Sequence, residues 1–162
     1  MRAAVITVSS SRAAGGAPDE SGERLSELAR RMGADVVERD LVGDQQRSIE
    51  ERLRHWADVE RCELILTTGG TGFAPSDVTP EATRAVIERE ALGIPEAMRD
   101  ASRQHTRHWM LSRAIAGSRG SSLIINFPGS PASITQTGEA IVEAVPHALA
   151  LLAGDGDRSG HQ

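Results

Sequence analysis

The chain of 162 residues contains no lysine. A Walker A loop places lysine after its second glycine, so P-loop nucleotide binding in that form is excluded. No Gly-x-Gly-x-x-Gly opens a helix, which removes the dinucleotide fingerprint as well. Aromatic residues make up only 2% of the chain, too few to build stacking platforms for a single-stranded nucleic acid. The formal net charge of -5, with arginines spread along the chain rather than blocked, argues against a general nucleic-acid binder. With Cys62 the single cysteine, no intrachain disulfide can form. Its place just before an apolar run reads as a small buried hydrophobe, with no cationic activator nearby to make the thiol reactive. The five histidines lack metal-ligand spacing, and His105 and His108 have no third partner, so no structural zinc is expected. No apolar run reaches membrane-spanning length. The start of the chain, Arg2 followed by Ala3-Ala4-Val5-Ile6, has no signal-peptide core or cleavage site. The expectation is a cytoplasmic protein without nucleic-acid or membrane partners.

What remains is a regular alternation of apolar patterns. Ala3 to Val8 reads as a buried strand, and Ser9 to Gly22, small and polar, as loop. Leu25, Leu28, Ala29 and Met32 fall on one helical face, with Gly33 placed to end it. Ala34 to Val42 predicts a second strand, Ile49, Leu53 and Trp56 a second helix, and Cys62 to Thr67 a third strand. Thr79-Pro80 reads as an N-cap followed by proline at the first helical position, opening a helix to about Glu90. Another helix is predicted from about Pro95 to His105. Ala114 to Ala116 and Leu123 to Asn126 flank Gly117 to Gly120 as a hairpin. Ser130-Pro131 repeats the cap-and-proline device and opens a helix marked by Ile134, Ile141, Val145, Ala148 and Leu152, kinked at Pro146. This pattern predicts a single α/β domain over 1–153, a three-layer αβα fold with a mostly parallel central sheet, and a flexible tail over 154–162. Such sheets bind ligands beyond the C-terminal ends of their strands. The loops after the first three strands all fall there.

The segment Thr67-Thr68-Gly69-Gly70-Thr71-Gly72, fed by Leu64-Ile65-Leu66 and followed by Ser76-Asp77-Val78-Thr79-Pro80-Glu81, carries the chemistry. Successive backbone N–H groups in a glycine turn form an anion-binding concavity. Asp77 adds a hard oxygen ligand suited to Mg²⁺. Read without that function, the glycines make a tight turn and Asp77 compensates a helix dipole. Asp44, after the second strand, reads either as the N-cap of the next helix or as a second carboxylate for the same metal. Pro128-Gly129-Ser130-Pro131 is a strand-to-helix turn whose N–H groups could also hold an anion. Glu96 and Arg99 could pair on a helix surface. Arg113 either clamps a phosphate or covers apolar surface with its stem.

TTGGTG followed by DVTPEAT resembles the signature of the MoaB/Mog family of molybdenum-cofactor biosynthesis proteins. Ile124-Ile125-Asn126-Phe127-Pro128-Gly129-Ser130-Pro131 looks like that family's strand and PGxP turn. Gly93 to Arg99, Leu111 to Ala114, Thr7-Val8-Ser9 and Asp19 to Gly22 also match, so the likeness runs from about Ala3 to Leu152. The resemblance implies a molybdopterin adenylyltransferase that joins AMP from Mg²⁺-bound ATP to the terminal phosphate of molybdopterin and releases pyrophosphate. It implies Asp44 and Asp77 as metal-holding, catalytic acids. Gly69, Gly70, Thr71, Gly72, Glu96, Arg99, Arg113, Pro128, Gly129 and Ser130 follow as ligand-binding residues. It implies a homotrimer and possible contact with the downstream molybdate-insertion protein. The small apolar residues of Ala140 to Leu152, with Trp109 and Met110, add physical weight to self-association. Ser10 stands where many members carry Asp or Asn, and Ser76 where many carry a basic residue. These departures feed one alternative, a non-catalytic molybdopterin-binding or assembly relative; a second alternative is a competence-damage-related nucleotide-cleaving enzyme, since those proteins share a similar domain.

Overall fold

The computed structural model describes residues 1–155. The tail expected over 154–162 lies outside the described residues from 156 onward. Strands β1 (Arg2–Val8), β2 (Asp35–Val42), β3 (Leu64–Thr68), β4 (Arg89–Glu90), β5 (Ala116–Arg119) and β6 (Ser122–Phe127) form one sheet in the order β2-β1-β3-β6-β5-β4. β2, β1, β3 and β6 run parallel, and β5 and β4 join antiparallel. The helices are α1 (Ser10–Ala13), α2 (Glu20–Arg31), α3 (Gln46–Arg54), α4 (Thr79–Val86), α5 (Gly93–Ser102), α6 (Pro131–Gly138) and α7 (Ala144–Leu152).

The sheet is covered on both sides, which is why its strands read as continuous apolar runs rather than alternations. Ala3 and Val5 of β1 face one core with Leu64, Leu66, Ile125 and Phe127, covered by α2, α5, α6 and α7. Ala4, Ile6 and Val8 face the other with Ile65 and Ile124, covered by α3, α4 and Trp56. The expected three-layer αβα architecture is therefore the observed one. Cys62 is buried and reduced, and burial pushes its thiol up, as a small hydrophobe requires.

Several boundaries differ from expectation for identifiable reasons. Ser9 to Gly22 is not all loop: Ser9 caps the short α1 by accepting from Arg12 N–H, and Asp19 caps α2 by accepting from Gly22 N–H at 2.9 Å. Gly33 does end α2, at φ +85°. The helix predicted from Pro80 to Glu90 stops at Val86, because Arg89–Glu90 pairs with Gly117–Ser118. The hairpin turn falls at Gly120, not across Gly117 to Gly120. The kinked helix after Ser130 is two helices, broken at 139–143, so that Pro146 lies in the first turn of α7 where its missing N–H costs nothing.

Candidate active site

The strand order reverses between β1 and β3, where β1 leads outward to β2 and the chain then crosses back to β3. That switch point is where a parallel sheet leaves a crevice. Four chain segments meet there. Ser9 N–H donates to Val42 O at 2.8 Å, drawing the β1 and β2 exits together. Gly69 N–H donates to Phe127 O at 3.2 Å, and the Thr68 hydroxyl to Pro128 O at 2.7 Å. These two bonds set the glycine turn against the Pro128-Gly129-Ser130 turn so closely that a Cβ on Gly129 would lie 3.5 Å from the Gly69 Cα. The Ser21 hydroxyl on α2 donates to Gly129 O at 2.6 Å and fixes the second turn from below.

Gly69 and Gly70 sit at φ +96° and +68°, the left-handed region that glycine enters without steric cost. Thr79 braces this turn from α4. Its hydroxyl donates to Gly69 O at 2.9 Å and its N–H to Gly70 O at 3.1 Å. Thr79 is thus the first residue of α4 rather than its N-cap, which is Val78; the side chain expected to cap the helix serves the turn instead. The N–H groups of Gly70, Thr71, Gly72, Gly129 and Ser130 donate to no described residue. Free amides on two apposed turns are the arrangement that accepts phosphate oxygens.

Asp77 stands beside these amides, and Asp44 follows β2 against Ser10. Asp77 closes a turn in which its Oδ2 accepts from Ala74 N–H at 3.0 Å, and a Cβ on Gly72 would meet that oxygen at 2.8 Å. Its Oδ1 accepts from no described residue. Asp44 does not cap the following helix, whose cap is Gln45 with no side-chain bond. Its Oδ2 accepts from Ser10 N–H at 3.0 Å while its own N–H donates to the Ser10 hydroxyl at 2.9 Å. Ser10 therefore orients the acid through a reciprocal pair, a role the sequence did not reveal. Among the described residues no three His, Cys, Asp or Glu side chains cluster tightly enough to hold a metal by themselves. That suits Mg²⁺, which is commonly held by one or two carboxylates plus substrate phosphates.

The structure gives Arg113 to the protein. Its Nε donates to Gly72 O at 2.7 Å and an Nη to Asp77 O at 2.7 Å. A bidentate pair with Glu81 closes at 2.8 and 3.0 Å. The Glu81 carboxylate holds the guanidinium above its ordinary value, and the guanidinium holds Glu81 below the usual carboxylate range. Four of the five N–H donors of Arg113 are committed to the glycine turn and α4, so it holds the turn in place from behind. Asn126 ties β3, the strand that feeds the turn, to α4. Its buried amide donates to the hydroxyls of Thr67 at 3.0 Å and Thr83 at 2.9 Å and accepts from Ile115 N–H at 3.2 Å. Sequence reading missed Asn126, whose partners lie up to 59 residues away.

Arg99 lines a cleft of about 140 Å³ next to the Pro128 turn, with Met98, His108, Trp109, Pro128 and Ser133 among its walls. One Nη reaches Ala114 O at 2.9 Å. Glu96 is exposed and forms no ion pair with Arg99 among the described residues. The surface pair considered for those two does not form.

An α/β crevice with two apposed turns presenting free amides, and Asp77 beside them, has the form of an anion site. A family profile described as "Probable molybdopterin binding domain" matches residues 4–147. The chain belongs to this family, the MoaB/Mog family of molybdenum-cofactor biosynthesis proteins. It is 37% identical over 153 residues to the molybdopterin adenylyltransferase of Helicobacter pylori strain J99, covering 93% of this chain and 87% of that one. It is 40% identical over 138 residues to the molybdenum cofactor synthesis protein cinnamon of Drosophila melanogaster, covering 85% of this chain but spanning only 23% of that protein. The crystal structure of the molybdopterin biosynthesis enzyme MoaB from Thermus thermophilus superposes with a TM-score of 0.88 at 42% identity, covering 94% of this chain and 96% of that one. No helix among the described residues is long and apolar enough to cross a membrane.

Proposed function

We propose that the protein is a molybdopterin adenylyltransferase. The apposed free amides of Gly70, Thr71, Gly72, Gly129 and Ser130 carry this reading, and relatives bearing that name support it. A terminal phosphate oxygen of molybdopterin attacks the α-phosphorus of ATP. A new P–O bond forms, the bond from the α-phosphorus to the α–β bridging oxygen breaks, and pyrophosphate leaves with that electron pair. The attacking oxygen is already anionic at neutral pH, so no general base is required. Catalysis is positioning plus charge stabilisation. The amides of the two turns hold phosphate oxygens, and Arg99 and Glu96 on α5 flank the substrate approach. Asp77, through its uncommitted oxygen, and Asp44, oriented by Ser10, would hold Mg²⁺. The metal, when bound, neutralises charge on the departing phosphates. Arg113 keeps the turn in its amide-presenting shape, and Asn126 fixes β3 to α4.

Asp77→Asn tests this reading. The expected outcome is a folded protein that loses most adenylyl transfer, measured as AMP incorporation into molybdopterin; wild-type turnover at limiting Mg²⁺ would remove Asp77 from the mechanism. Molybdopterin binding without transfer by the wild type would make the protein a non-catalytic relative. We further propose a cytoplasmic homotrimer with cyclic symmetry that hands its product to the molybdate-insertion protein. Met110 at 60%, Leu111 at 46% and Leu151 at 53% exposure are among the exposed apolar residues that could serve subunit contact. Light scattering decides the assembly: a mass near the 17.3 kDa of one chain at micromolar concentration rules the trimer out.

A further inference from the structure

The chain has four aromatic residues besides its histidines, two tryptophans and two phenylalanines. Trp56 and Phe127 are core residues. Trp109 is not spent that way. It opens the short 3₁₀ turn Trp109–Leu111 and lines two depressions. The inner one is the cleft bounded by Met98, Arg99, Pro128 and Ser133. The outer one is bounded by Arg103, Gln104, His105 and Arg107. The Arg103 guanidinium lies over the ring, 5.5 Å from its centroid, and borders only the outer depression. Trp109 also lines the inner cleft, which Arg103 does not. Its Nε1 donates to no described residue, whereas Trp56 Nε1 donates to Asp40 at 3.1 Å.

An aromatic side chain, the apolar Met98 and Pro95, and hydroxyls of Ser102, Thr106 and Ser133 lining one cleft suit a planar ring with hydrogen-bonding edges. Pro128 connects that cleft to the amide-lined turns, because it belongs both to the cleft and to the turn apposed to Gly69. A ring seated on Trp109 would direct a phosphate borne by the same molecule toward those amides.

We propose that Trp109 is the stacking platform, and hence a specificity-determining residue, for the planar nitrogen heterocycle of a phosphorylated substrate. Arg103, whose guanidinium lies over the same ring, would add a cation–π contact to the stack. The proposal rests on the adenylyl-transfer reading for its ligands. A pterin and an adenine share the required chemistry, and the two are separated by experiment. Calorimetric titrations of the wild type, Trp109→Ala and Trp109→Phe use Mg²⁺-ATP in one arm and a 6-alkylpterin monophosphate in the other. The same titrations in Trp56→Phe protein follow indole emission from Trp109 alone. The expected result is that Trp109→Ala weakens one ligand by about tenfold or more, that Trp109→Phe largely restores it, and that the other ligand is unaffected. That same ligand quenches Trp109 emission, and its identity names the heterocycle. Unchanged affinity for both ligands in Trp109→Ala overturns the proposal. So does equal loss of both, a change of assembly mass in that variant, or a wild type that binds neither. Adenylyl transfer is measured separately. A wild type that stacks a ligand but does not transfer AMP refutes the activity and leaves the platform standing, whereas transfer with unchanged affinities refutes the platform alone.

Discussion

A Cβ placed on Gly70 would lie 2.3 Å from the Thr79 hydroxyl oxygen, the group that donates to Gly69 O. A β-branched side chain at φ +68° adds strain on the order of 1–3 kcal/mol. Gly70→Val is therefore expected to weaken ATP binding by about tenfold or more, read by calorimetry on protein whose circular dichroism is native; an unchanged dissociation constant would reduce the motif to a tight turn. Arg113 offers a complementary test. Its fork spans two carbonyls and a carboxylate, which a lysine ammonium cannot reproduce. Arg113→Lys should thus lose kcat/KM nearly as fully as Arg113→Ala, and rescue by lysine would instead mark a simple charge effect. At this scale the sequence disclosed residue types but not partners. The glycines and Asp77 stand in one short local motif, whereas Asp44 is singled out only by the family resemblance. The engagement of Arg113 with Gly72 and Glu81, 41 and 32 residues away, and the use of the Thr79 hydroxyl for the turn, exist only after the sheet has brought those segments together.

Among the elements, the five-residue π turn from His55 to Val59 is held to the antiparallel side of the sheet by one ion pair. Arg119 on β5 donates to both Asp58 carboxylate oxygens at 2.9 and 2.8 Å and to Val86 O at 2.9 Å. Those hydrogen bonds hold the Asp58 carboxyl below the usual range. A lowered folded-state value means the pair contributes fully above the unfolded aspartate value, near 3.9, and loses its contribution as pH falls through the lower folded value. Asp58 is largely exposed, so the contribution is modest. Urea midpoints followed from pH 7 to pH 2 should show the wild type and Asp58→Asn differing at neutrality and converging in acid. A gap of constant size would assign the difference to something other than this titration. Element identity was legible where periodicity was long: α2 from Leu25, Leu28, Ala29 and Met32, and β3 from its continuous apolar run. Stops were less legible. Val86 ends α4 only because Arg89–Glu90 finds a strand partner near Gly117, and the break between α6 and α7 follows packing on the sheet rather than the helical spacing that runs through it.

For the molecule as a whole, ligand binding and stability are one equilibrium. If Mg²⁺-ATP binds the folded state alone, saturating it at about a hundred times its dissociation constant adds roughly 2.7 kcal/mol. In a chain of this length that raises the melting temperature by something on the order of 5–10 °C. Differential scanning calorimetry checks this, and Asp77→Asn should show a smaller rise if Asp77 holds the metal. The three-layer architecture was readable from alternating strand and helix patterns, because both faces of a parallel sheet must be covered. The antiparallel placement of β5 and β4 was only half readable: the hairpin was visible, but two-residue β4 carries no pattern of its own.

That last strand closes the sheet in a particular way. β4 contributes two residues, Arg89 and Glu90, both charged and exposed. At the opposite margin β2 presents Asp35, Glu38, Arg39 and Asp40 among its eight residues. A neighbouring chain that tried to continue the ladder would find almost no length to pair with on one side and a row of charges on the other, the devices by which β-proteins avoid fibrillar growth. Extension of one sheet into the next is thus disfavoured at both margins, so contact between copies of this chain falls to helical faces and loops.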